Sequence, residues 1–134
     1  MTKLRSLTPR ILVAACLAAT GLLHADLYLN GYRKIPVIGT AFLWQATASA
    51  AIAVLLPIAY PVVLRFLAAA LVAGSLGAFT LSRTTGLFGF TEYGWQPAPQ
   101  AALTVVAESI ALVVLAAPLL RWIRAPTARS KVVH

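Results

Sequence analysis

Few residues of this chain have side chains that can exchange a proton or hold a polar ligand. Its acids are Asp26, Glu92 and Glu108, and its only histidine besides the last residue is His24. A carboxyl group and an imidazole can donate or accept protons, ligate a metal ion, or hydrogen bond a small molecule. We therefore place His24 and Glu108 at the centre of a candidate ligand or proton site.

Gln45, Arg83 and Glu92 are the other candidate residues of this site. At a rise of about 1.5 Å per helical residue, Glu108 lies roughly 13 Å from Pro99, near the middle of a membrane span. Gln45 lies at the matching depth on another span. Arg83 stands at the outer end of a third span, and Glu92 lies in the connection that follows it. We expect these polar groups to lie at overlapping heights.

Glu108 has several alternative roles. A carboxylate near the bilayer centre costs about 2.5–3.5 kcal/mol, so such residues usually face the interior of a bundle. Glu108 could be a neutral acid hydrogen bonded to Gln45 or His24, or the partner of Arg83. With His24 it could bind a metal ion or a polar group of a quinone or lipid. The structural alternative is a hydrogen-bonded contact between helices, and a contact with another subunit is the third.

Other chemical signals are weak. One internal histidine with scattered acids is a weak metal signal, and no phosphate loop, paired cysteines or nucleophile elbow is present. An enzyme is the weakest hypothesis, and the sequence leaves any cofactor unknown. Asp26 is most simply an ion pair with Arg33 and Lys34. Glu92 is either solvated or part of an outer loop, residues 86–95, that folds over the helices as a lid.

Composition determines the elements that position these residues. Hydrophobic residues make up 60% of the 134 residues and charged residues only 10%. A soluble domain of this size could not bury so much apolar surface. We therefore predict an all-α integral membrane four-helix bundle of antiparallel up-down hairpins. The spans are 11–30, 37–56, 66–85 and 100–120, each near the length that crosses the hydrocarbon.

The basic residues indicate the orientation of these spans. Eight flank the ends that would share one side with both termini, whereas Arg33, Lys34 and Arg83 lie on the other side. The positive-inside rule predicts that segment 1–10 and the basic tail 121–134 are cytoplasmic, in a bacterial cell membrane. The net charge of +8 does not indicate nucleic-acid binding, because the basic residues flank apolar runs and form no stripe with aromatic residues.

The third span carries a packing signal. Ala70, Gly74, Ala78 and Ser82 recur every fourth residue, and small residues let helix backbones approach closely in lipid. We predict that this row packs inside the bundle, with a second protein or a second copy of the chain as the alternative partner.

Two functional hypotheses follow. The first is an accessory or interaction subunit of a membrane complex, supported by short loops, small-residue helix faces and the lack of catalytic motifs. The alternative is a binding or transport module for a proton, metal ion, quinone or lipid, using the polar cluster around Glu108 and His24.

Overall fold

The protein is all-helical in a computed structural model that describes residues 2–124, with side chains for residues 7–118 and 120. The helices are α1 (Thr2–Leu29), α2 (Ile38–Ile58), α3 (Val62–Arg83) and α4 (Gln100–Arg124). A short 3-10 turn at Tyr32–Lys34 connects α1 to α2, and residues 2–124 contain no β-strand. The prediction of an all-α fold with four helices is confirmed.

The helix ends differ from the predicted span ends. α1 already begins at Thr2, so the segment predicted to precede the first span continues the same helix. α3 begins at Val62 and ends at Arg83, shifted from the predicted 66–85. The reason is that a backbone hydrogen-bond ladder does not stop where apolar side chains stop. Of the predicted tail 121–134, the part beyond Arg124 lies outside the described residues.

All four helices are long and apolar enough to cross a membrane. A helix of about 20 residues spans roughly 30 Å, which is the thickness of the hydrocarbon layer. Many large apolar side chains face outward, as in the lipid-facing surface of a membrane protein. Examples are Leu22, Trp44, Val63 and Phe66, each about 70% exposed.

α1 is the central helix and packs against both α2 and α4, whereas α3 packs mainly against α4. Gly21 meets Ser49 and His24 meets Phe42, so α1 and α2 run in opposite directions. Thr20 contacts Glu108, and Asp26, nearer the end of α1, contacts Gln100 at the beginning of α4. α1 and α4 therefore also run in opposite directions.

The two ends of the bundle differ in polarity. The loop end carries the 3-10 turn and the long connection of residues 84–99, and the terminal end carries the start of α1 and the short link at Tyr60. Apolar side chains fill the half towards the terminal end, among them the fully buried Val13, Leu17, Leu56 and Val72. The polar candidate residues lie in the other half, towards the loop end.

The close helix contact lies at Gly21, not on the third helix. A Cβ atom added at Gly21 would stand 3.2 Å from the carbonyl oxygen of Ala46 and 3.2 Å from the Cβ of Ser49. A Cβ added at Gly74 would meet nothing within 4 Å. Both Ala70 and Gly74 are exposed.

The prediction that the third-helix row packs inside the bundle is therefore wrong at Ala70 and Gly74. Ser82, at the loop end of the row, is buried, and Ala78 is half-buried. α3 contacts the bundle through another face, on which Ala68 and Val72 are fully buried. A four-residue spacing of small side chains shows that one helix face can be approached closely, but not which face meets a neighbour.

Candidate functional site

A partly open cavity of about 100 Å³ lies at the loop end of the bundle, where all four helices meet the connection of residues 84–99. Its walls are mostly apolar and aromatic. Its polar lining residues are His24, Tyr32, Ser75, Ser82, Arg83, Glu92, Thr104 and Glu108. The structure thus brings four of the five predicted site residues to one cavity, and the fifth, Gln45, contacts one of them.

Glu108 forms the deep end of the cavity and is 1% exposed. Its Oε1 atom accepts a hydrogen bond of 2.8 Å from the Thr20 hydroxyl and one of 3.1 Å from the Gln45 side-chain amide. Three helices are therefore joined at one carboxyl oxygen. The predicted contact between Glu108 and Gln45 is present in the structure.

His24 is connected to Glu108 through Thr20. The His24 Nδ1 atom lies 2.9 Å from the Thr20 carbonyl oxygen and 3.4 Å from its hydroxyl. Because a carbonyl oxygen can only accept, Nδ1 must carry a hydrogen. In the neutral imidazole, Nε2 is then a hydrogen-bond acceptor, and both contacts with Thr20 are made by Nδ1. The ring packs against Phe42, with centroids 5.0 Å apart.

Sequence reasoning missed Thr20. Its hydroxyl donates to Glu108 and its carbonyl accepts from His24, so it connects the two predicted residues. Thr20 precedes His24 by four residues, which places both on one face of a helix. That spacing was the available signal, but hydroxyl residues are too common in membrane helices to single one out.

Thr104 is the second residue that sequence reasoning missed. It stands one helical turn before Glu108, lines the cavity and is 8% exposed. Its Oγ1 has no hydrogen-bond partner among the described residues. A buried hydroxyl without a partner costs about 1–3 kcal/mol, and a threonine within a helix can usually bond the carbonyl four residues earlier. Ser75 of α3 adds another hydroxyl to the cavity lining.

Arg83 holds the long connection over the cavity. Its Nε donates to the carbonyl oxygen of Gly94 at 2.8 Å, and one terminal nitrogen donates to the carbonyl of Gln96. The other terminal nitrogen donates to the Ser82 hydroxyl at 2.7 Å. One side chain at the end of α3 thus binds two backbone carbonyls of residues 84–99.

Glu92 belongs to the outer wall of the cavity. One of its oxygens lies 3.5 Å from a terminal nitrogen of Arg83, and the other accepts a hydrogen bond of 2.7 Å from the Tyr32 hydroxyl. Arg83 therefore pairs with Glu92, not with Glu108 as one alternative proposed. The connection of residues 84–99, which contains Glu92, covers the cavity, because its residues Leu87 and Phe90 also line the cavity.

Tyr32 connects the 3-10 turn to this outer wall. Its ring stacks on Phe42, with centroids 4.6 Å apart, and meets Phe90 edge-on at 5.9 Å. Burial is the main cause of a raised pKa for the Tyr32 hydroxyl, and the hydrogen bond to the Glu92 carboxylate raises it further. Tyr32 therefore stays neutral and donates to Glu92.

Asp26 takes no part in the cavity. It accepts hydrogen bonds from Asn30 at 2.7 Å and from Gln100 at 3.3 Å. The predicted ion pair of Asp26 with Arg33 or Lys34 is wrong, because the one salt bridge within the described part of the chain joins Arg83 and Glu92. The side-chain amides of Asn30 and Gln100 satisfy Asp26 locally.

The described residues offer no group of three or more histidine, cysteine, aspartate or glutamate side chains placed to hold a metal ion. His24 and Glu108 alone would supply two such donors. A tightly bound metal ion usually takes four or more ligands.

Comparison with known proteins adds no assignment: no family model, no curated protein and no solved structure matches the chain.

Proposed function

We propose that this chain is a membrane protein that binds the hydroxyl-bearing head of a largely apolar molecule, such as a quinol or a lipid alcohol, in the cavity above Glu108. The observation that carries the proposal is a buried, hydrogen-bonded carboxyl at the deep end of a cavity beside an unpartnered Thr104 hydroxyl. A ligand group there would satisfy a polar atom that the described residues leave without a partner.

The lining supports this ligand class. The lining offers acceptors: the Nε2 of neutral His24, and one carboxyl oxygen each of Glu108 and Glu92. These two oxygens keep a lone pair although Ser75 and Arg83 already contact the two carboxylates. A ligand that carries O–H donors complements them. The aromatic walls at Phe42, Phe79 and Phe90 suit an apolar or aromatic body.

The volume supports binding of a head group, with the rest of the molecule outside. A dry cavity of about 150 Å³ holds one benzene molecule, and this cavity measures about 100 Å³. Because it is partly open, a larger molecule can insert its polar head and leave its apolar remainder in lipid.

Binding is favoured over proton transport by one chain alone. Beyond Glu108, apolar side chains such as Leu17, Leu56 and Ala111 fill the bundle towards the terminal end. Protons move along chains of polar groups or water, and the described residues supply no such chain through that half.

We further propose that both termini face the cytoplasm of a bacterial cell and that the cavity opens at the outer face of its membrane. The excess of basic residues at the terminal end supports this orientation. With Cys16 replaced, single cysteines at Thr2 and Ser130 should resist an impermeant thiol reagent in intact cells. A cysteine at Thr91 should react, and the reverse labelling pattern would contradict the orientation.

The binding proposal is tested by calorimetric titration of the detergent-solubilised protein with hydroquinone and with 1,4-dimethoxybenzene. The two ligands share a ring, but only hydroquinone has O–H donors. Wild type should bind hydroquinone saturably and at least tenfold more tightly. Equal signals for both ligands would indicate partitioning into the detergent and contradict the proposal.

A matched pair of variants on α3 locates the site. Ala78 lines the cavity, whereas Ala73 is exposed and does not. Ala78→Leu adds three carbons to the cavity wall and should weaken hydroquinone binding at least tenfold, whereas Ala73→Leu should leave it unchanged. Equal binding to both variants would place the ligand elsewhere.

A second candidate function is that of an accessory subunit of a membrane complex. The observation that favours it is the exposure of Ala70 and Gly74 on α3, two small residues that the described part of the chain leaves uncovered. Gly74→Leu should then release a partner or a second copy from the complex purified in mild detergent. An unchanged complex size would mean that this face meets lipid only.

A further inference from the structure

Two arginines at the terminal end of the bundle share one tyrosine ring. The guanidinium carbon of Arg10, on α1, lies 5.1 Å from the ring centroid of Tyr60, and that of Arg65, on α3, lies 5.2 Å from it. The ring sits in the link between α2 and α3 and packs against the apolar core. Cation–π contacts hold flat guanidinium groups in defined orientations.

Neither guanidinium has an acceptor among the described residues. The Nε atoms of both Arg10 and Arg65 are shielded from water and lack a hydrogen-bond partner. All three acids of the chain are engaged in the other half: Asp26 with amides, Glu92 with Arg83, and Glu108 with Thr20 and Gln45. The chain therefore has no free acidic side chain to neutralise this pair.

Two partly desolvated positive charges on one ring favour an external anion. Guanidinium groups present forked N–H donors that match phosphate oxygens, and stacking leaves the edge of each fork free to donate. The pair lies at an end of the membrane-spanning helices, which is the level of the lipid phosphates in a bilayer. Water alone would leave both charges unpaired.

We propose that Arg10, Tyr60 and Arg65 form a phosphate-binding site that holds the head group of an anionic lipid. The site is separate from the cavity at the loop end and does not depend on the ligand proposed there. Arg10 and Arg65 donate to the phosphate oxygens, and Tyr60 fixes both guanidinium planes. Because α1 and α3 each contribute one arginine, a bound phosphate links two helices that are not neighbours in the chain.

The test compares three probes on the purified, delipidated full chain in neutral detergent: phosphatidylglycerol, phosphatidylcholine and inorganic phosphate. Each is titrated while adducts are counted by native mass spectrometry and thermal unfolding is followed. Each basic residue near an anionic surface strengthens association about fivefold, so two predict a preference of about 25-fold for phosphatidylglycerol over phosphatidylcholine. This comparison on the wild type does not depend on whether any variant folds.

Variants locate the site. The double variant Arg10→Gln, Arg65→Gln should lose most of the preference, and Tyr60→Leu should weaken it although both charges remain. Arg33→Gln is the matched control, because it removes one exposed positive charge at the loop end and should leave the preference unchanged.

The probes also separate the sources of phosphate. Stabilisation by phosphatidylglycerol alone supports a lipid head group. Stabilisation by inorganic phosphate at millimolar concentration, lost in the double variant, would keep the phosphate site but overturn the lipid assignment. Equal affinity for the two lipids with no effect of phosphate, or an unchanged preference in the double variant, would overturn the proposal.

Discussion

Replacing Glu108 by alanine and by glutamine should separate its structural role from its role in binding. Glu108→Ala removes the acceptor of both the Thr20 hydroxyl and the Gln45 amide. Each buried donor left without an acceptor costs about 1–3 kcal/mol, so the two together predict a loss of about 2–6 kcal/mol. The space left by the side chain adds to this loss.

Glu108→Gln should be much milder for stability. Its amide oxygen can occupy the position of Oε1 and accept from both Thr20 and Gln45, so the free energy of unfolding should fall by about 1 kcal/mol or less. Its amide nitrogen then replaces the second carboxyl oxygen and presents donors to the cavity. A hydroxyl-bearing ligand would meet a donor where it needs an acceptor, and hydroquinone affinity should fall at least tenfold.

Two measurements on the same variants test this reasoning: reversible unfolding in mixed micelles, and calorimetric titration with hydroquinone. His24→Ala should share the binding defect of Glu108→Gln, and the double variant should bind no more weakly than either single one, as for residues that act together. Asp26→Asn is the control, because it makes the same chemical change at an exposed acid outside the cavity. Wild-type affinity in Glu108→Gln would refute the binding role, and equal destabilisation by Gln and Ala would refute the hydrogen-bond geometry.

Three further predictions concern packing, the covering connection and pH. Gly21→Leu should destabilise the bundle by about 2 kcal/mol or more, because the leucine side chain would collide with α2. Gly74→Leu should change stability by less than about 0.5 kcal/mol. Equal effects of the two variants in thermal unfolding would contradict the close contact at Gly21. Arg83→Lys keeps the charge but loses the guanidinium donors to the carbonyls of Gly94 and Gln96, so amide hydrogen exchange of residues 86–96 should accelerate. Unchanged protection would show that other contacts hold the connection in place. The raised pKa of Tyr32 means that the folded state favours its neutral hydroxyl, so this stabilisation is present below a pH of about 10 and is lost as the pH rises further. Alkaline pH should therefore destabilise Tyr32→Phe less than wild type. Identical pH profiles of the two proteins would count against the buried Tyr32–Glu92 contact.

The sequence predicted the helices because hydrophobic runs of about 20 residues leave few alternatives. It also predicted the grouping of His24, Gln45 and Glu108, since residue depth along a helix follows from a fixed rise per residue. It did not predict Thr20 or Thr104, because a hydroxyl in a helix carries no signal of its own until a neighbour approaches it.

Helix faces and loop conformation were not predictable in the same way. Small residues recur on α1 near Gly21 and on α3 near Gly74, yet only Gly21 meets another helix closely. The rotation of each helix about its axis decides this, and it depends on the packing of the whole bundle. The pairing of Arg83 with Glu92 likewise depends on how residues 84–99 fold back, which no periodicity encodes.

The most direct test of the central proposal is to observe the Glu108 carboxyl while the ligand is added. Glu92 and Glu108 are the only glutamates in the chain, so protein labelled with ¹³C at the glutamate side-chain carboxyl gives two NMR signals, and Glu108→Gln assigns them. Hydroquinone should shift the Glu108 signal saturably, with the midpoint found by calorimetry, and should leave it unmoved in Ala78→Leu. A Glu108 signal that does not move at saturating hydroquinone would contradict binding in this cavity.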